Sequence, residues 1–235
     1  MRILIIEHDH LSPPGHVAER FIDRGYDVIE HLVVPGDRYY SPDVTTEFPD
    51  PMDFDAIVPM GSPWGAWEDE RIGTWLHPEM DLLRTADTAG IPVLGICFGG
   101  QLLARTHGGS VSRAPVPEIG WTAIMADEPD IVSAGPWFSF HYDRWQLPPG
   151  AREIARTTRA SQAFLLRRNL AVQFHPEITY SGLQGWMTQD GRDLVTTDGQ
   201  DPDIMLEQTR VEEPAARARA HSLVDAFLDR VAGAL

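Results

Sequence analysis

Apolar and polar residues follow one another in the first half of the chain in a pattern that predicts strands alternating with helices. Short apolar runs end in polar residues or in a Gly/Pro corner at 2–9, 26–34, 54–63 and 91–97. Apolar residues recur at helical spacing at 14–25, 75–90 and 99–109. This order favours right-handed crossovers and a mostly parallel sheet with helices on both faces.

The pattern changes beyond residue 110. Short runs joined by turns predict antiparallel strands added to the same sheet at 118–126, 137–145, 152–158, 162–169 and 170–177. The last part predicts a helix at 180–188, a loop rich in Asp and Gly at 190–203, and a closing helix from about 214 to 232. No repeat or linker divides the chain, so we expect a single domain over 1–235. Its core would cover about 1–180, with a helical extension over about 181–235.

Charge and composition narrow the classes of function. The chain has 235 residues and a net charge of −16, and all 19 basic residues are Arg. An acidic surface does not suit the phosphate backbone, so nucleic acid is not an expected partner. The absence of Lys excludes Schiff-base chemistry and the P-loop. No apolar run approaches the ~18 residues of a membrane span, and the one cysteine excludes an internal disulfide. We therefore expect a cytoplasmic protein without a membrane partner.

The one cysteine lies at a sharp corner, in the sequence GICFGGQ at 95–101. An apolar run ends there and a helical pattern begins, and Gly95 and Gly99 flank Cys97 at the spacing of a nucleophile elbow. The helix N-terminus favours negative charge on the sulfur, and the N–H of Phe98 would point at an oxyanion formed there. A lone cysteine can also be a small buried apolar residue, but the glycines favour the nucleophile.

A base for such a nucleophile is offered by the sequence AVQFHPE at 171–177. Residues two apart in an extended segment point to the same side, so His175 and Glu177 can lie together. Pro176 disfavours helix at His175 and keeps that spacing open. Glu177 would then accept the imidazole N–H and leave the other nitrogen for Cys97. The competing interpretation is a surface turn at the end of a strand.

GICFGGQ, FHPE and the corner MGSP at 60–63 together resemble the class I, triad-type glutamine amidotransferase family. The stretch 108–121 also resembles free-standing members similar to the amidotransferase half of GMP synthetase. The resemblance implies a flavodoxin-like α/β sandwich of three layers. It implies that Cys97 attacks the side-chain amide of glutamine, that His175 is the acid and base with Glu177 as its partner, and that a γ-glutamyl thioester is hydrolysed.

The resemblance also implies further site residues. The family's oxyanion corner matches Gly61 and Ser62, with the amide of Ser62 as donor beside that of Phe98. The family usually has Gly at the Ser62 position, so a positive φ there would strain Ser62. The residues implied to bind or wall the substrate are Gln101, Tyr142, Asp143 and Trp64. For Trp64, packing in the core is an equally good interpretation.

Three functions stay open at this point. The first is glutamine hydrolysis, with ammonia released or passed to a separate synthase subunit. The second is hydrolysis of a γ-glutamyl amide other than glutamine, and the third is a catalytically silent binding module. No cofactor or metal is expected: the cluster EHDH at 7–10 is interpreted as a solvated loop. His141 is expected to orient or pack within the substrate-binding segment rather than to act as a second base.

Overall fold

A computed structural model describes residues 1–233, so Ala234 and Leu235, which the sequence placed in the helical extension, lie outside the described residues. The strands are β1 Arg2–Glu7, β2 Asp27–Leu32, β3 Ala56–Pro59, β4 Val93–Ile96, β5 Ser110–Ala123, β6 Met125–Ala126, β7 Pro136–Gln146, β8 Arg152–Arg156, β9 Ser161–Leu166 and β10 Asn169–Val172. The α-helices are α1 Gly15–Asp23, α2 Asp69–Thr88, α3 Phe98–Thr106, α4 Tyr180–Trp186, α5 Gly191–Thr197 and α6 Pro202–Ala226. Within residues 1–233, none of the helices has the length and apolar character needed to cross a membrane.

The main sheet has eight strands in the order β2-β1-β3-β4-β10-β9-β8-β6. The strands from β2 to β10 run parallel to their neighbours, and β9, β8 and β6 continue the sheet in antiparallel fashion. The predicted mostly parallel α/β sheet is therefore confirmed. In such sheets ligands bind beyond the carboxyl ends of the parallel strands, and β4 delivers Cys97 to that edge.

Alternate residues of the parallel strands pack into two different cores, one on each face of the sheet. On β1, Ile3 and Ile5 join a cluster with residues of α1 and α6. Leu4 and Ile6 join the cluster formed with α2 and α3. Side chains two apart share a face of a strand, so the apolar run of β1 serves both layers. The predicted three-layer sandwich follows from this arrangement.

Two predictions about the strands beyond residue 110 are wrong. β5 and β7 form a separate two-stranded antiparallel sheet instead of joining the main one. Their apolar side chains pack with those of α4 and α6 in a third cluster that includes Ile119 and Phe138. Because this cluster buries the apolar side chains of β5 and β7, the two strands do not have to join the main sheet. β10 pairs with β4 in parallel orientation, because the chain returns beside the strand that carries Cys97.

Two predictions about the C-terminal part are also corrected. The expected loop at 190–203 contains α5, and α6 begins at Pro202 instead of about 214. Asp201 caps α6 by accepting the N–H groups of Asp203 and Ile204, and proline is tolerated at the first helical position. A π-helical turn, Phe227–Ala232, continues α6. The predicted apolar face of this segment is confirmed, since its four residues are buried: Leu223, Phe227, Leu228 and Val231.

Glu7, the last residue of β1, is expected to make the protein less stable as the pH rises. Burial, and then the carboxylates of Glu30 and Asp9, raise the pKa of Glu7 to about 7. Because the folded state then holds a proton that the unfolded state releases near pH 4.5, stability falls between about pH 4.5 and 7. Glu7→Gln should raise the Tm by about 2–5 °C at pH 8 and by much less at pH 4.5. An equal shift at both pH values in thermal unfolding would contradict this origin.

Candidate active site

Cys97 lies at the turn between β4 and α3 with its backbone in a strained conformation. Its φ of 51° and ψ of −103° are rare for a residue with a side chain. The turn is fixed by backbone hydrogen bonds: the N–H of Cys97 donates to Val172 O at 2.8 Å, and that of Gly99 donates to Met60 O at 3.0 Å. A Cβ at Gly99 would stand 2.0 Å from Pro59 O, so only glycine fits there. The sulfur is thereby held at the carboxyl edge of the sheet.

His175 and Glu177 lie just beyond β10, where they form a buried pair. His175 Nδ1 is 2.7 Å from Glu177 Oε1, and the two side chains are only 4% and 2% exposed. The backbone of this segment is anchored at both residues, since the N–H of His175 donates to Phe138 O and Glu177 O accepts from the N–H of His16. Gly15 approaches so closely that a Cβ there would be 2.0 Å from Glu177 O.

His175 Nε2 makes no hydrogen bond within the described residues and lies on the Cys97 side of the ring. Burial alone would lower the pKa of His175, but the charges of Glu177 and of a Cys97 thiolate outweigh it and raise the pKa to about 10. Gly61 faces both groups, since a Cβ placed there would be 3.0 Å from His175 Cε1 and 3.9 Å from Cys97 Cβ. Trp186 packs edge-on against the imidazole with ring centroids 5.0 Å apart. The three candidate catalytic side chains therefore lie together.

The two candidate oxyanion donors are the backbone N–H groups of Ser62 and Phe98. Neither donates a hydrogen bond to a backbone or side-chain acceptor within residues 1–233. The condition for strain at Ser62 is not met, because Cys97 and Arg167 are the only non-glycine residues with positive φ in the described part of the chain. The Ser62 hydroxyl accepts the N–H of Trp64 at 3.1 Å, which shapes the corner from within.

An open cavity of about 480 Å³ leads to Cys97 and His175. The sequence-predicted residues in its wall are Gly61, Ser62, Trp64, Phe98, Gln101, Tyr142 and Asp143. Glu177 lies behind His175. Trp64 satisfies both interpretations, because it lines the cavity and also packs against Trp75 with ring centroids 6.1 Å apart.

Gln173 is a neighbour of the sulfur that the sequence did not single out. Its Nε2 is 3.7 Å from Cys97 Sγ, and its Oε1 accepts from Gln101 Nε2 at 3.2 Å. Gln101 thus reaches the sulfur through Gln173. The two-residue spacing that places Glu177 beside His175 also places Gln173 on that side, so the same periodicity could have found it.

Opposite charges meet in the wall of the cavity, at Asp143 and Arg113. Asp143 is 7% exposed, and burial raises the pKa of its carboxyl. The guanidinium of Arg113 is 3.7 Å from Asp143 Oδ1 and stands 4.9 Å above the Tyr142 ring. Arg113 was not foreseen from the sequence. A buried carboxylate next to a cation can hold the two charged ends of an amino acid.

His141 anchors the segment that carries Tyr142 and Asp143. Its Nδ1 donates to the carbonyl of Asp143 at 2.9 Å, and its Nε2 is 3.4 Å from Glu118 Oε2. Glu118 also accepts from Gln162 Nε2 at 2.8 Å. With both ring nitrogens facing protein groups, this geometry supports the predicted orienting role over that of a second base.

The expectation of a solvated loop at 7–10 is wrong for two of its residues. His8 is fully buried, with Nε2 3.0 Å from Glu79 Oε2 and Nδ1 2.9 Å from Gly61 O. Asp9 is 3% exposed and accepts the N–H of Leu11 and the hydroxyl of Ser12. The polar residues His8 and Asp9 therefore lie at the carboxyl edge of the sheet, where other elements cover them.

Residues 37–190 match the model of the family described as glutamine amidotransferase class-I. The chain belongs to this family. Its members are amidohydrolases with a cysteine nucleophile, in agreement with the turn built around Cys97. The family predicted from GICFGGQ, FHPE and MGSP is thereby confirmed.

Curated relatives of this glutamine amidotransferase include GMP synthases. The glutamine-hydrolysing GMP synthase of Aeropyrum pernix is 38% identical over 144 residues, which make up 57% of this chain and 24% of that protein. The chain thus spans only about a quarter of that relative's length. A relative from Sulfolobus acidocaldarius, named as one subunit of a glutamine-hydrolysing GMP synthase, is 29% identical over 166 residues, which make up 64% of this chain and 85% of that protein.

Solved structures support the fold of the whole amidotransferase. A glutamine amidotransferase from Thermotoga maritima superposes with a TM-score of 0.83 at 24% identity, covering 97% of this chain and 98% of the other. One from Methylobacillus flagellatus gives a TM-score of 0.81 at 23% identity, covering 97% of this chain and 94% of the other. These likenesses confirm the flavodoxin-like sandwich.

Proposed function

We propose that this chain hydrolyses the side-chain amide of L-glutamine, with Cys97 as nucleophile, His175 as acid and base, and Glu177 as the partner of His175. The observation that carries the proposal is the His175–Glu177 contact of 2.7 Å, with the other imidazole nitrogen unpaired beside Cys97. A nucleophile, a base and an orienting carboxylate in this relation are the requirements for covalent acyl transfer.

The chemistry follows from those positions. The Cys97 thiolate attacks the amide carbon of glutamine, and the resulting oxyanion accepts the N–H groups of Ser62 and Phe98. The His175 imidazolium protonates the departing nitrogen, the C–N bond breaks, and ammonia leaves a γ-glutamyl thioester on Cys97. Neutral His175 then takes a proton from water, which attacks the thioester. Glutamate leaves, and the sulfur and the imidazolium are restored.

Substrate binding is assigned to the charged side of the cavity. The Asp143 carboxylate is suited to the α-ammonium of glutamine, and Arg113, stacked above Tyr142, to the α-carboxylate. Gln101 and Trp64 line the same cavity as Cys97 and would form part of its wall around the substrate. Glutamine would then lie across the cavity with its amide at the sulfur.

A separate partner is proposed to receive the ammonia. The relative from Sulfolobus acidocaldarius is named as one subunit of its synthase, and this chain matches most of its length. The longer GMP synthase of Aeropyrum pernix matches over 24% of its length, which is consistent with an acceptor-activating part outside this chain. We also propose a cytoplasmic location, because Cys97 must stay a free thiol to react.

The size of the cavity favours keeping a second candidate function, the hydrolysis of a γ-glutamyl amide other than glutamine. Its volume of about 480 Å³ falls in the range of sites that hold drug-sized ligands, whereas glutamine has about ten non-hydrogen atoms. A γ-glutamyl amide with a larger leaving amine would use the same thioester and fill more of that space. The silent binding module is disfavoured, because the unstrained backbone at Ser62 removes the reason for a defective oxyanion site.

Ammonia and leaving-amine assays distinguish these functions. We expect kcat/KM for glutamine to exceed that for γ-glutamyl-p-nitroanilide by at least about tenfold, with ammonia and glutamate formed in equal amounts. The reverse preference would establish the γ-glutamyl hydrolase. A diazo-ketone analogue of glutamine should label Cys97 in the active protein. No turnover of either substrate and no adduct, with or without a synthase subunit, would leave the silent module.

A further inference from the structure

His8 and Glu79 form a fully buried pair directly behind the oxyanion corner. His8 follows β1 and Glu79 lies on α2, and both side chains are 0% exposed. His8 Nε2 is 3.1 Å and 3.0 Å from the two carboxyl oxygens. A buried pair of this kind adds little net stability, because the loss of hydration offsets the attraction. The thioester chemistry described above uses neither residue, so the pair calls for another role.

The other nitrogen of His8 identifies that role. Nδ1 is 2.9 Å from Gly61 O, and since a carbonyl oxygen can only accept, Nδ1 carries a proton. Nε2 then either donates to a Glu79 carboxylate or accepts from a Glu79 carboxyl group. Both arrangements leave the pair without net charge, and both keep the Nδ1–H directed at Gly61.

The carbonyl of Gly61 and the N–H of Ser62 belong to one peptide unit. The described chain has no cis peptide bonds, so the two groups point in opposite directions from this planar unit. Holding the carbonyl towards His8 turns the Ser62 N–H away from His8, into the cavity that Ser62 lines. Gly61 has no Cβ to resist rotation of the peptide, so an outside contact has to select this orientation.

The imidazole of His8 also packs against Phe98, whose backbone N–H is the second candidate oxyanion donor. The rings of His8 and Phe98 pack with centroids 4.6 Å apart. We propose that His8, held by Glu79, is a positioning residue that fixes the Gly61–Ser62 peptide so that the Ser62 N–H faces the oxyanion. The role rests on the proposed hydrolysis of glutamine. The hydrogen bond to Gly61 O also polarises the peptide and strengthens its N–H as a donor.

Two variants of similar size separate the contacts of His8. The amide nitrogen of Asn lies where histidine has Nδ1, so His8→Asn keeps a donor for Gly61 O. The amide of Gln reaches the place of Nε2, so His8→Gln keeps the partner of residue 79 and loses that donor. Both are made in a Glu79→Gln background, so that no unpaired charge is buried.

Relative to the Glu79→Gln parent, His8→Gln should lower kcat for glutamine by about 10²–10³-fold, the effect of losing one oxyanion donor. KM should change less than about threefold, and His8→Asn should keep at least about ten times the kcat of His8→Gln. Alkylation of Cys97 by iodoacetamide should proceed at the same rate in all three proteins, because that displacement forms no oxyanion.

Equal kcat values for the Asn and Gln variants of an active parent would overturn the role of His8 and leave the proposed function intact. Alkylation rates that fall together with kcat would also overturn it, because they would indicate a general collapse of the site. If the His8→Gln protein fails to fold by circular dichroism, Glu79→Met provides the second comparison. Glu79→Met removes the carboxyl group that holds His8 through Nε2. An unchanged kcat in the Glu79→Met variant would contradict the proposal. A wild-type chain that turns over no glutamine would instead count against the proposed function.

Discussion

Cys97→Ala is expected to abolish glutamine hydrolysis, with a loss of at least about 10³-fold in kcat, while the protein stays folded. The only sulfur nucleophile in the chain would be gone, and water would have no thioester to attack. Ala is smaller than Cys and Cys97 is buried, so the fold should lose only about 1 kcal/mol from packing. Steady-state ammonia release and thermal unfolding of the same preparation measure the two effects.

Two controls make the result interpretable. Cys97→Ser retains a weak nucleophile in the same position and should also lose most activity, since a hydroxyl at the helix N-terminus is far less ionised than a thiol. Mass spectrometry should detect a γ-glutamyl adduct on the wild type during turnover and none on Cys97→Ala. Residual turnover above about a tenth of the wild-type rate in Cys97→Ala would require another nucleophile and would refute the proposed mechanism.

Gly99→Ala is expected to destabilise the fold strongly. The added Cβ would stand 2.0 Å from Pro59 O and 2.6 Å from Pro59 C, both backbone atoms of β3. Relief requires α3 to move away from the sheet, which also breaks the hydrogen bond from Gly99 N–H to Met60 O. We expect a loss of about 3 kcal/mol and a fall in Tm of about 6–12 °C. Activity should fall too, because the start of α3 carries the Phe98 N–H.

Gly73→Ala is the matched control for this steric argument. Gly73 lies inside α2, where a Cβ would meet only the His77 ring at an ordinary 3.6 Å. The same chemical change should there stabilise the helix by about 0.5–1 kcal/mol and leave glutamine turnover unchanged. If Gly99→Ala unfolds at the same temperature as the wild type, α3 can move away from Pro59 at little cost, and the steric argument is contradicted.

Local features of this protein were predictable from sequence to the extent that their partners are close in the chain. The corner at Cys97 follows from glycines two residues on either side, and the contact between His175 and Glu177 follows from the two-residue period of extended backbone. The parallel sheet was equally accessible, because buried strands and amphipathic helices alternate over its length. These inferences need no knowledge of distant contacts.

Features that depend on distant partners were missed. A histidine at position 8 looks like part of a solvated polar cluster until α2 brings Glu79 over it, 71 residues away. The runs that became β5 and β7 have the same apolar pattern as strands of the main sheet, and only the third cluster decides where they pack. The residue pattern predicted that α6 begins near Pro214. In the structure, Pro214 lies on an exposed face in the middle of this helix.

The close approach of Gly15 to Glu177 ties the first helix of the chain to the last part of the site. The N–H of His16 in α1 donates to Glu177 O, so the backbone position of Glu177 depends on a contact from more than 160 residues away in sequence. A chain in which α1 has detached would then hold the Cys97 thiol with a less well fixed His175–Glu177 pair. The proposed hydrolysis of glutamine would therefore be confined to molecules in which the first and last parts of the site are joined.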